Sequence, residues 1–152
     1  MLEEKKERLS RAEYDKIGDA LLELLGDCPH IPKGAKIKYN SKDVGTCVCI
    51  ITTGGNYVQK YISGSFAAEL GLQIAYQSFP QGNGAIIDAQ AVVDNIAKWF
   101  EDIDNLPKLK NGRRITGFSS GASFPNIEEV EGNTATVFVV NATMEYFYEK
   151  GE

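Results

Sequence analysis

Two long alternating runs constrain this chain more than any other feature. In residues 66–76, FAAELGLQIAY, one side carries Phe66, Ala68, Leu70, Leu72, Ile74 and Tyr76. The other carries Ala67, Glu69, Gly71, Gln73 and Ala75. Residues 135–148, ATVFVVNATMEYFY, repeat the design, with Phe138, Val140, Ala142, Met144, Tyr146 and Tyr148 on one face. Val139, Asn141, Thr143, Glu145 and Phe147 take the opposite face. A period of two marks a strand with one side against a core. A sheet built from such strands needs cover on its greasy side and leaves a second, largely polar side to be explained.

Two amphipathic helices supply that cover. Ser10 and Glu13 have the capping-box spacing, and Tyr14, Ile17, Leu21, Leu24 and Leu25 then recur at helical intervals until Gly26. Residues 1–9 either extend this helix or fray from it. The second helix is expected over 85–104, with its stripe made by Ile86, Ala89, Val93, Ile96, Ala97, Phe100 and Ile103. Trp99 falls at the edge of that stripe.

Between the helices, GTCVCIITT at 45–53 reads as a strand covered on both faces. GGN at 54–56 is a hairpin signal, and YVQKYIS at 57–63 reads as the returning strand. A Gly64-Ser65 bend precedes the opening run. RRITGFSS at 113–120 is a further strand, GASFPN at 121–126 is irregular, and a turn falls at Gly132-Asn133. The order is α-β-β-β-α-β-β. Short turns imply antiparallel pairing. The expected fold is therefore α+β: a single domain over 1–152, with an antiparallel sheet of four to five strands and two helices packed on one face.

Composition narrows the function. A net charge of -5 argues against a nucleic-acid backbone binder, and the densest basic stretch, KLKNGRR at 108–114, reads as a loop. No apolar run approaches the roughly 20 residues of a membrane helix, and MLEEKKERLS lacks the apolar core of a secretory signal. Three cysteines, Cys28, Cys47 and Cys49, point to a reducing compartment. The last two share a strand face and read as small core residues. With His30 the sole histidine, the chain lacks the donor set of a zinc site, and no cofactor motif appears.

The catalytic inventory is equally thin. His30 sits in the proline-flanked loop 28–34, and no spacing nominates a nucleophile or an orienting carboxylate for it. Ser119, Ser120 and Ser123 do not form a nucleophile elbow. The glycine-rich loops at 54–56 and 81–84 match no phosphate-binding spacing. A small enzyme or ligand-binding domain would have to use loops 28–34 and 119–126, with His30, Ser120 and Ser123. A dimerising domain that pairs through an edge strand is a further option.

The passage QKYISGSFAAELGLQIAYQS, the helix IDAQAVVDNIAKWFED, Leu106-Pro107 with Leu109, ITGFSSGAS and the closing EGNTATVFVVNATMEYFYEKG follow one another in a familiar order. This order resembles the minor capsid or tail-terminator (tail completion) proteins of long-tailed bacteriophages and prophages of Gram-positive bacteria. The likeness runs from about residue 11 to the end. It departs at Ser63, where the family pattern often carries an acidic residue. The resemblance implies a structural virion protein with no catalytic role or cofactor. It implies a ring, commonly of six copies, that closes the tail tube and meets a head-side neck protein. The protein would be made in the host cytoplasm and finish in the tail or neck of the virion. The polar face, with Glu69, Gln73, Gln77, Asn141, Thr143 and Glu145, would then meet a neighbouring subunit or the ring lumen.

Overall fold

A computed structural model describes residues 7–40, 45–79, 82–102, 109, 111–130 and 132–151. The elements run α1 (Arg11–Gly26), β1 (Lys36–Tyr39), β2 (Cys47–Lys60), β3 (Phe66–Ser78), α2 (Asn83–Glu101), β4 (Arg113–Ser120), β5 (Phe124–Val130) and β6 (Asn133–Tyr148). The strands form one six-stranded sheet in the order β1-β2-β3-β6-β4, with β5 also paired to β6. The α+β class expected from the sequence is present, with more strands than the four to five expected.

The two alternating runs pair with each other. β3 and β6 lie antiparallel and in step from Phe66↔Tyr148 to Ser78↔Thr136. Their greasy residues therefore fall on one side. There Leu70, Leu72, Ile74, Val140, Met144 and Tyr146 join Ile17, Leu21 and Leu25 of α1 and Val93, Ile96 and Phe100 of α2 in one buried cluster. Phe100 stacks on Phe118 of β4 at 5.2 Å between ring centres, and Trp99 meets Phe100 edge-on at 5.3 Å. Burying a side chain such as Phe100 is worth about 1.5–3 kcal/mol. Among the described residues no helix is long and apolar enough to cross a membrane.

Three expectations are corrected. First, Gly54-Gly55-Asn56 is not a hairpin. β2 runs unbroken through it, with register shifts between Thr52 and Gly54 and between Tyr57 and Gln59. Glycines inside a strand also mark bulges and close approaches. A Cβ on Gly55 would stand 2.6 Å from Leu9 Cδ1 and 3.0 Å from Leu70 Cδ1. Residues 57–60 thus continue β2, and the chain reverses at 61–65, where Tyr61 N–H donates to the Ser65 carbonyl (3.0 Å).

Second, residues 7–9 neither extend α1 nor fray. They lie extended along β2: Tyr57 N–H donates to the Glu7 carbonyl (2.8 Å), and Leu9 N–H to the Gly55 carbonyl (3.1 Å). Leu9 is buried. Residues 1–6 lie outside the description.

Third, the strand order gains β1 and β5. β1 pairs parallel with the start of β2, from Lys36↔Cys47 to Tyr39↔Ile50. Its four residues are too few to show a pattern, and it is placed by a tertiary contact. Tyr39 lies against Gly18 of α1, where a Cβ would stand 2.4 Å from the Tyr39 ring. β5 occupies what reads as irregular because Pro125 interrupts it. Proline is tolerated there because β5 is an edge strand, paired to β6 alone. β4 and β5 follow one another along the same side of β6.

Helix limits also shift. α2 begins at Asn83, after Gly82 with φ of 89°. Ile86 of the expected stripe is 37% exposed rather than buried. Ile103 and most of the following loop lie outside the described residues.

One polar cluster crosses the core. Ser10 caps α1 by accepting from Glu13 N–H (3.1 Å). The Glu13 carboxylate does not complete the capping box but turns inward. Arg113 of β4 donates to it through Nε (2.8 Å) and through a second guanidinium nitrogen. Tyr146 donates its hydroxyl to the same carboxylate (2.9 Å). Burial, then the adjacent Glu13 charge and hydrogen bond, push the Tyr146 phenol far above its ordinary range, with Arg113 opposing. Arg113 also donates to the Asn111 carbonyl (2.8 Å) and lies over the Tyr148 ring. Every charge in this cluster has a partner, as burial demands.

Candidate assembly surface

The second face of the sheet is graded along the strands. At one end Cys47, Cys49, Ala75, Val137 and Val139 form a small buried cluster of their own. All three cysteines are free and buried, and burial raises the Cys28 thiol above its usual value. Beyond that cluster the face turns polar. Gln73 stands opposite Asn141 and donates its amide N–H to the Asn141 side-chain oxygen (2.9 Å). Thr143 stands opposite Gly71, and Glu69 opposite Glu145.

This places Glu69, Gln73, Asn141, Thr143 and Glu145 on one continuous patch. Asn141, Thr143 and Glu145 are exposed, and Glu69 and Gln73 half-buried. Gln77 shares the face but sits at its apolar end, 1% exposed, with its amide N–H donated to the Gly45 carbonyl (2.9 Å).

Small residues keep the patch shallow. A concave region of about 460 Å³ is lined by Thr53, Gly71, Ser119, Gly121, Asn141 and Thr143, among others. A Cβ on Gly71 would stand 2.6 Å from Thr53 Oγ1, and one on Gly117 3.1 Å from a Glu145 carboxylate oxygen. Glu69 and Glu145 thus bring two carboxylates to paired positions of neighbouring strands.

At its far end the face reaches the 61–65 turn. Tyr61 meets Phe147 at 6.1 Å between rings, and Arg114 lies over Phe147. Ile62, at the tip, is wholly exposed. No alternation flags Ile62. Its signal in the sequence is an apolar residue just before a Ser-Gly bend.

The residues of the enzyme alternative are arranged differently. His30 is exposed in its loop. Ser120 donates its hydroxyl to a Glu101 carboxylate oxygen (2.7 Å), and Ser123 accepts from the Gln90 amide (3.0 Å). The concave region beside Ser120 does not include His30 in its lining. Among the described residues no group of three or more His, Cys, Asp or Glu side chains is placed to hold a metal ion.

No protein-family model matches the chain, and no curated protein matches its sequence. Among solved structures, the fold is similar to that of a chain in the virion of a native gene transfer agent particle. The TM-score is 0.54 at 14% sequence identity, over 90% of this chain and 99% of the other.

Proposed function

We propose that this chain is a structural protein of a phage-type virion and works by assembly: a tail terminator or minor capsid protein. In this reading copies form a ring, commonly of six, that closes the tail tube and meets the head-side neck protein. The protein is made in the bacterial cytoplasm and ends in the tail or neck of the particle.

The observation that carries the reading is the fold likeness to a virion chain over nearly the full length of both. The broad, shallow, polar face supports the same reading. Glu69, Gln73, Asn141, Thr143 and Glu145 face a neighbouring subunit or the ring lumen, and no substrate sits among them. On this reading the chain is not an enzyme, and His30, Ser120 and Ser123 do no chemistry.

Electron microscopy of the protein alone and mixed with purified tail tubes tests this. The expected result is a ring of uniform diameter at one end of each tube. Its mass should be six times the 16.7 kDa of one chain. Protein that neither binds nor caps the tubes would defeat the reading. A His30→Ala, Ser120→Ala, Ser123→Ala variant should cap tubes as the unaltered chain does.

A further inference from the structure

We infer that one copy of this chain seats the turn at residues 61–65 in an apolar groove at the opposite end of another copy's sheet. The inference deepens the assembly reading and rests on it for the choice of a second copy as occupant.

The groove lies on the helix side of the sheet, where β3 ends and α2 begins. It is lined by Pro32, Tyr76, Ser78, Phe79, Ala89 and Val92, among others. Its volume is about 380 Å³. One buried atom there is out of place. Ser78 is 8% exposed, and its hydroxyl has no hydrogen-bond partner among the described residues. An orphan hydroxyl in an apolar wall costs stability unless a partner group arrives. The groove thus asks for an apolar plug that also carries a donor or acceptor. Among the described residues that line it, Asp88 is the charged one.

The turn has the matching features. Ile62 projects fully into solvent, and Val58 and Tyr61, close to it in sequence, are exposed as well. The turn is pinned rather than loose. Gly64, at φ of 94°, donates its N–H to the Tyr61 carbonyl (3.0 Å), and Tyr61 N–H donates to the Ser65 carbonyl (3.0 Å). Ser65 Oγ accepts from Lys150 N–H (3.1 Å). A rigid apolar tip loses little freedom on docking. Ser63, whose Oγ accepts from Ser65 N–H (3.4 Å), and the turn backbone bring polar groups beside Ile62 that meet the Ser78 hydroxyl once it rotates toward the groove. The Lys150 side chain lies over Gly64, with Nζ 3.2 Å from where a Cβ would be. It supplies the positive charge that complements Asp88.

The two features sit at opposite ends of β3, 13 residues long and therefore about 40 Å from end to end. No copy reaches its own groove. The contact uses two different patches, which builds a ring or a filament when repeated head to tail.

The test replaces Ile62 with a photoreactive benzoylphenylalanine and irradiates the full chain, free at rising concentration and bound to tail tubes. The expected cross-links join position 62 to residues 76–92 of another copy. Cross-links to any other surface, or none in assembled protein, would overturn the inference. A protein monomeric in both settings would overturn it too. Two further variants read the same contact. Ile62→Glu, at a fully exposed site, should keep the thermal stability of the unaltered chain and lose self-association at least 100-fold. Ser78→Ala should fold normally and weaken it about five-fold, the worth of one hydrogen bond. If Ile62→Glu caps tail tubes with complete rings, this contact is wrong and the terminator reading stands. If Ile62-dependent oligomers form and never bind tubes, the contact stands and the terminator reading falls.

Discussion

Glu13 carries two duties that the sequence shows only as one. Its backbone N–H completes the Ser10 cap, and its carboxylate is the anion that Arg113 and Tyr146 share. Removing one member of a buried ion pair strands the other, which costs about 3–5 kcal/mol. Arg113→Ala should therefore lower the stability read from denaturant unfolding by that amount. Replacing Glu13 and Arg113 together with apolar residues of similar volume should cost much less. Tyr146 adds a pH dependence. Its phenol is raised in the folded chain above the ordinary value of about 10. Below that value its contribution is complete. Above it the unfolded chain gives up this proton first, so stability falls as pH rises. Tyr146→Phe should flatten that alkaline fall while lowering stability at neutral pH by about 1.5–3 kcal/mol, the loss of a bond to a charged acceptor.

Among the elements, β1 is the shortest, at four residues, and its Tyr39 brings it against α1. Tyr39 lies on the helix at Gly18 and donates its hydroxyl to the Tyr14 carbonyl (3.4 Å). Gly18→Ala gains about 1 kcal/mol of helix propensity. It also drives a methyl group into the Tyr39 ring, and overpacking costs about 1–3 kcal/mol. The clash should win, giving a net loss of up to about 2 kcal/mol. Hydrogen exchange should then quicken in 36–39 ahead of the rest of the sheet. The legibility of the sequence divides at this scale. β3, β6 and both helices were readable because each is long enough to repeat its period several times. Glu69, Gln73, Asn141, Thr143 and Glu145 were readable as one patch for the same reason. β1 was not, because tertiary contact with Gly18 decides it. β2 reads as two strands because glycine marks a turn and a bulge with the same residue, and only Leu9, distant in sequence, tells them apart. Gln77 follows the alternation yet is buried, since the sheet's second face is covered at that end. The Ile62 tip and the Ser78 groove have no period to betray them.

Across the whole molecule, two faces of one sheet serve two ends. The helix side closes the core. The other side is closed over Cys47, Cys49 and Val139 and open over Asn141 and Glu145. Cys28 lies in the helix-side core and Cys47 and Cys49 in the second cluster, so the three buried thiols report on both. Thiol labelling of the native chain should be slow and track unfolding, with a burst of reactivity only in denaturant. An early reaction of Cys47 and Cys49 alone would mean that the second face opens independently of the helix-side core.

The place of β6 has a consequence for synthesis. It lies between β3 and the pair β4 and β5, yet it follows all of them in the chain. Its Tyr146 is 133 residues from Glu13. While the chain leaves the ribosome, β3 and β4 therefore wait with bare edges for a strand not yet made. The sheet cannot close in stages from the front, and loop closure over such separations is slow. A chain cut short ahead of residue 133 would lack this interior strand and leave two hydrogen-bonding edges open to any other strand it meets.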